Sequence, residues 1–168
     1  LYLISFASEV AADPLGAIFG GAGFVFYGGL IGGTLAVYIL LRRVKKPFWR
    51  YADLVAPALA VGYAVGRIGC QLSGDGDYGL PTALPWGFSY LHGVVPTAPG
   101  VLVHPTPIYE TLAALIIAWI LLKLQRSRFA NRTGYIFGTY LALSAIARYG
   151  VEMLRIEPVV FAGLTEAQ

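Results

Sequence analysis

The sequence predicts an all-α, polytopic transmembrane helix bundle, and three observations carry that expectation. The first is composition: 57% of the 168 residues are hydrophobic and only 12% are charged, whereas a soluble globular domain carries about 25% charged residues. Mean hydropathy is accordingly high, at +0.68. The second is segmentation, because long uncharged runs alternate with short charged ones. The third is the placement of positive charge. Nine of the twelve Lys and Arg residues fall in two clusters, Arg42, Arg43, Lys45, Lys46 and Arg50, then Lys123, Arg126, Arg128 and Arg132. Basic clusters between apolar runs are what the positive-inside rule produces. The pI of about 9.1 therefore reflects membrane topology and not a nucleic-acid-binding face, and nucleic acid is excluded as a partner.

The chain reads as a single transmembrane domain over residues 1–168, with spans at about 16–41, 51–72, 107–122 and 134–154. Residues 1–15 end in Glu9, Asp13 and Pro14 and read as the close of a preceding span and a turn. The start at Leu1, without Met or a charged leader, predicts a fragment. From Gly16 to Leu41 there are 26 residues without a charge, enough for a tilted crossing of the roughly 20 needed. Gly28, Gly29, Gly32 and Gly33 form two overlapping G-x-x-x-G pairs, which permit close approach of another helix. The second span has Asp53 near its start and Arg67 near its end. Residues 73–106 follow, rich in Gly, Pro and aromatics and without Lys or Arg, which puts them on the extracytoplasmic side. A loop of that length points to function rather than mere connection. Trp86, Phe88 and Tyr90 suit the headgroup level of a bilayer. The third span opens with Tyr109 and Glu110, and the fourth carries Arg148 and Glu152 near its far end.

If both basic clusters are cytoplasmic, the second and fourth spans run outward and the third runs inward. Arg67, Glu110, Arg148 and Glu152 then meet at one depth on the outer side, beneath the 73–106 loop. Ser144, Arg148, Glu152 and Arg155 recur at helical spacing and would share one face. An arginine in a membrane span costs roughly 2.5–3.5 kcal/mol on insertion scales. The plainer account is that Arg148 pairs with Glu152, and Arg67 with Glu110 or Asp75, only to neutralise charge. The sharper account is a site for an anionic headgroup, to which arginine's planar fork is suited.

Lesser constellations carry less. His92, His104, Asp75 and Asp77 offer metal-type ligands, but in no metal-binding spacing, so no metal is expected. The Gly74–Gly79 turn lacks the lysine of a nucleotide loop. Cys70 is the sole cysteine, which rules out an internal disulfide, and it reads as a small buried residue.

Four motifs, in order, resemble the prolipoprotein diacylglyceryl transferase family: YGGLIGG at 27–33, GRIGCQLSGD at 66–75, HPTPIYE at 104–110 and ARYGVEMLR at 147–155. The resemblance implies a multi-pass enzyme of the bacterial inner membrane. Such an enzyme moves a diacylglyceryl group from phosphatidylglycerol, or a similar phospholipid, to the lipobox cysteine of a prolipoprotein, without a cofactor. It implies Arg67, Arg148, His104, Glu110 and Asp75 as catalytic candidates, and Tyr27, Gly28, Gly29, Gly74, Tyr109, Glu152 and Arg155 as substrate-binding ones. Arg67 and Arg148 would stabilise charge growing on the phosphate leaving group. A free thiol, with a pKa near 8.5, also needs a base at neutral pH. His104, Glu110 and Asp75 are the candidates for it.

The chain departs from the family pattern in places. Tyr27 stands where the family has a histidine, and with a pKa near 10 a tyrosine is a poor base. Cys70 and Ser73 replace asparagines, Asp75 replaces a glutamate, and the G-D-G-D-Y-G run is longer than usual. These departures, and fewer spans than the family's seven helices, predict a divergent or truncated member. The alternatives are another lipid-headgroup transferase or hydrolase on the same scaffold, or a non-catalytic lipid-binding subunit.

Overall fold

The computed structural model describes residues 26–155, in two compact units, one ending at Phe48 and the other beginning at Trp49. Residues 1–25, which include the turn near Asp13 and the first part of the expected 16–41 span, lie outside the described residues, as do 156–168.

In the first unit, α1 runs Phe26–Arg43. Its last turn holds Arg42 and Arg43 at the negative end of the helix dipole. Arg42 Nε donates to Tyr38 Oη one turn back, at 3.1 Å. The helix stops because Lys45 adopts a left-handed conformation (φ 55°), which lets Lys46 N donate back to the Leu41 carbonyl at 2.8 Å. Pro47 then bars continuation. Among the described residues, nothing lies within 4 Å of where a Cβ on Gly29, Gly32 or Gly33 would stand.

The second unit is built on α2 (Phe48–Ser73), α3 (Thr106–Gln125) and α4 (Tyr135–Glu152), with a short 3-10 helix (Arg128–Asn131) before α4. Ala52, Ala56, Ala60 and Ala64 recur every fourth residue of α2 and are all buried. This stripe of small side chains lets the Thr111 hydroxyl of α3 lie 3.4 Å from the Ala64 carbonyl. The core joins Ala56 and Ala60 to Ile117, Ala118 and Leu121 of α3 and Ile136 of α4. Pro57 lies inside α2 and has no N–H to offer the Asp53 carbonyl one turn earlier. Gln125 Nε2 supplies the missing donor, at 2.9 Å from Asp53 O. The Asp53 side chain is itself committed to α4. Gly134 N and Phe137 N donate to its two oxygens at 2.6 and 2.8 Å. Gly134 has no side chain to cap the helix, so a residue from α2 does so.

No strand occurs among the described residues, only isolated bridges such as Gly79 to Arg155 and Phe88 to Val103. Among the described residues, two helices, α2 and α3, are long and apolar enough to cross a membrane. Leu54, Leu72, Ile116, Trp119 and Ile146 are exposed, while Asp53, Glu110 and Glu152 are buried. Apolar groups outside and carboxylates inside suit a lipid surround.

The segment between α2 and α3 is pinned at both ends. Val94 N and Val95 N donate to the carbonyls of Ser73 and Gly74 at 2.9 and 2.8 Å, and Leu80 N donates to Leu154 O at 2.8 Å. Tyr90 is buried, stacks on Tyr78 at 5.0 Å and donates to Gln71 at 2.6 Å. Gly74 (φ 58°) has Gly93 Cα 2.8 Å from where its Cβ would stand, so only glycine fits this crossing.

Candidate functional site

Three Lys and Arg residues remain outside the two basic clusters, Arg67, Arg148 and Arg155, and all three converge in the second unit. They alternate with three carboxylates in the order Glu152, Arg148, Glu110, Arg67, Asp77, Arg155. Arg148 Nη2 is 3.2 Å from Glu152 Oε2, and its Nη1 is 2.9 Å from Glu110 Oε1. Arg67 Nη1 is paired with Asp77 Oδ2, and Arg155 Nη2 donates to Asp77 Oδ1 at 2.5 Å. Helix geometry sets up the middle of this chain. Arg67 near the end of α2, Glu110 in the opening turns of α3 and Arg148 near the end of α4 lie at one end of an antiparallel trio.

Tyr63, one turn before Arg67, joins the centre. Its hydroxyl donates to Glu110 Oε1 at 2.7 Å and accepts from Arg67 Nε at 3.1 Å. Its ring lies 5.2 Å from the Arg67 guanidinium carbon, within cation–π range. Arg67 Nε is also 3.0 Å from Glu110 Oε2. The Nε hydrogen is aimed at Tyr63, however, so that contact is electrostatic and Oε2 accepts no hydrogen bond. Glu110 is 3% exposed and orients both arginines from beneath.

Asp77, not Asp75, is the loop carboxylate of the centre. The pairing of Arg67 with Asp75 is corrected on this point: Asp75 is exposed and accepts from the Asp77 N–H at 3.3 Å, while Arg67 pairs with Asp77. Burial alone would raise the Asp77 pKa, but Arg155 and Arg67 outweigh it and hold the carboxyl below its ordinary range. Arg155 does not continue the Arg148–Glu152 helix face, because α4 ends at Glu152. It reaches Asp77 from the segment that bridges Gly79.

His104 and Tyr109 form a neighbouring group. His104 Nδ1 is 3.2 Å from Tyr109 Oη, to which Trp86 Nε1 donates at 2.8 Å. Gly74 sits at the α2 terminus against Gly93. Tyr27, Gly28 and Gly29 lie in the first turn of α1, in the unit described on its own. Of the metal-type residues, Cys70, Asp75 and Asp77 bring ligand atoms within 4.8 Å of one another. Arg67 and Arg155 already hold Asp77, which disfavours a cation there. Tyr63 and Asp77 are the centre's members that sequence reasoning missed. The i, i+4 spacing of Tyr63 and Arg67 was the available signal for the first.

Fold and site together define a class: an all-helical protein with an apolar exterior, two helices of membrane-crossing length, and an arginine–carboxylate centre closed by a loop. The family model described as prolipoprotein diacylglyceryl transferase matches residues 1–168, and the chain belongs to that family. It is similar to proteins named phosphatidylglycerol–prolipoprotein diacylglyceryl transferase. One, from Clostridium tetani, is 37% identical over 139 residues, covering 82% of this chain and 54% of the relative. Another, from Nostoc sp., is 36% identical over 180 residues, covering all of this chain and 62% of the relative. The protein from Leptospira interrogans is 35% identical over 147 residues, covering 86% of this chain and 45% of the relative. The chain thus spans about half to two thirds of the length of these curated relatives.

Proposed function

We propose that this chain carries the phosphate-handling part of a diacylglyceryl transferase. Its substrates are phosphatidylglycerol and the lipobox cysteine of a prolipoprotein, and it works as a polytopic bundle in the bacterial inner membrane, with residues 73–106 outside. The observation that carries this reading is the Glu110 carboxylate shared by Arg67 and Arg148, at 3.0 and 2.9 Å, from two different helices. Two guanidiniums held in place at the outer end of an apolar trio are preorganised for a leaving phosphate.

In the reaction, the cysteine sulfur bonds to the glyceryl carbon that bears the phosphate ester, and the carbon–oxygen bond breaks. Its electron pair leaves with glycerol phosphate, whose added negative charge falls to Arg67 and Arg148. The thiol proton must go to a base. Glu110 is committed to two arginines and Tyr63, and Asp75 is exposed on the turn. We assign the proton to His104, half-buried beside the loop with one ring nitrogen on Tyr109, because a neutral imidazole offers a ring nitrogen that can accept a proton.

The test is to incubate the purified protein with labelled phosphatidylglycerol and a lipobox peptide. Thioether product is expected, and Arg67→Ala and Arg148→Ala should each lower turnover by about 10²–10³-fold while the protein stays in the membrane. Glycerol phosphate released without peptide modification would make it a hydrolase. Lipid binding without turnover would make the charges structural.

A further inference from the structure

The centre pairs three arginines, Arg67, Arg148 and Arg155, with three carboxylates, Asp77, Glu110 and Glu152, and Asp75 lies beside Asp77, so no positive charge is left over. A phosphodiester entering as an extra monoanion would leave one uncompensated negative charge in an apolar surround, which such a site opposes. One carboxylate has to give way. Glu110 and Glu152 are fixed on helices with side chains 3% and 0% exposed, and they clamp Arg148 between them. Asp77 differs in each respect. It lies on a turn, its side chain is 28% exposed, and it gives one oxygen to Arg67 and the other to Arg155. That is the footprint of the two non-bridging oxygens of a phosphodiester, to which arginine forks donate in the same way.

We propose that Arg67 and Arg155 form a phosphodiester seat that Asp77 occupies as an internal counter-ion and vacates when an anionic lipid headgroup binds. This rests on the reading of the centre as a phospholipid site. The exchange replaces one monoanion by another, so the charge against the arginines does not change. The turn restricts how the exchange happens. Gly74 is pinned against Gly93, Gly79 N donates to His104 O at 2.8 Å, and the Thr106 hydroxyl donates to the Asp77 carbonyl. The backbone therefore stays in place and the Asp77 side chain rotates out toward its exposed side.

The test uses the purified full chain in detergent, titrated separately with short-chain phosphatidylglycerol, diacylglycerol of the same chain length, and inorganic phosphate. Asp77→Asn keeps the shape and removes the competing charge. Its affinity for phosphatidylglycerol should rise about tenfold, the worth of a weak charge-assisted hydrogen bond, while diacylglycerol binding is unchanged. Adding Arg155→Gln should erase the gain. Equal or weaker phosphatidylglycerol binding by folded Asp77→Asn overturns the seat. If thermal unfolding shows that this variant does not fold, Asp77→Ser carries the same readout. A gain for inorganic phosphate alone overturns the headgroup assignment. The binding readout is independent of transfer: a gain without thioether formation upholds the seat and removes the transferase reading, whereas transfer without a gain does the reverse.

Discussion

Asp53 and Glu110 are both buried carboxylates, on neighbouring helices, and they are satisfied in opposite ways. Asp53 is met by backbone N–H groups of Gly134 and Phe137. Those two amides lie at the N-terminal end of α4, and the job of Asp53 is to start that helix. Glu110 is met by Arg67, Arg148 and the Tyr63 hydroxyl. The two guanidiniums among those partners carry charge that can also serve a ligand. A buried acid held by backbone belongs to the fold, while a buried acid held by arginines holds reactive charge in position.

Removing Asp53 tests the first half of this contrast and should have the largest effect on stability. Asp53→Ala orphans two donors at the α4 terminus, each worth about 1–3 kcal/mol when buried. Thermal unfolding in detergent should show that loss, with transfer per folded molecule unchanged. A fall in transfer with stability intact would move Asp53 into the site. At the other end, Tyr63→Phe deletes one hydroxyl between Glu110 and Arg67. Its cost should appear in the turnover rate, by about tenfold, equivalent to roughly 1.4 kcal/mol, with little change in melting. A melting loss without a rate change would make Tyr63 a packing residue.

The smallest effect is that of acid on the Asp77 link. The carboxyl is held below its ordinary pKa of 3.8, so its contribution is fully present above that pH and is lost as pH falls through the lower, folded value. The groups facing it are Arg67, Arg155 and Arg148, with Asp75 beside it on the turn. Proteolytic susceptibility of the 74–79 turn should be flat from neutrality down to about pH 5 and rise only below 3.8. Asp77→Asn should remove that acid dependence, and a rise at pH 6 in the wild type would contradict the pairing.

The sequence was most legible where charge met hydropathy. Arg67, Glu110, Arg148 and Glu152 stand out because each is costly in an apolar run, and alternating spans bring them to the same end. The choice between Asp75 and Asp77 was not legible. Both carboxylates lie on one turn, and the path from Gly74 through Gly76 (φ 58° and 96°) sets which one reaches Arg67. The role of Asp53 was not legible either, because its partners are backbone amides some 80 residues away. Arg155 was read as one more step of a helix face because periodicity does not announce that α4 ends at Glu152.

By itself, then, the sequence determined the helical, apolar character of the chain and the residues that carry its charge, because both follow from transfer energies along a segment. Only the tertiary structure decided the pairing order from Glu152 to Arg155, the entry of Tyr63 and the place of Asp77 between two arginines. Those depend on where helices stop and how a glycine turn is aimed, and contacts across the fold set both.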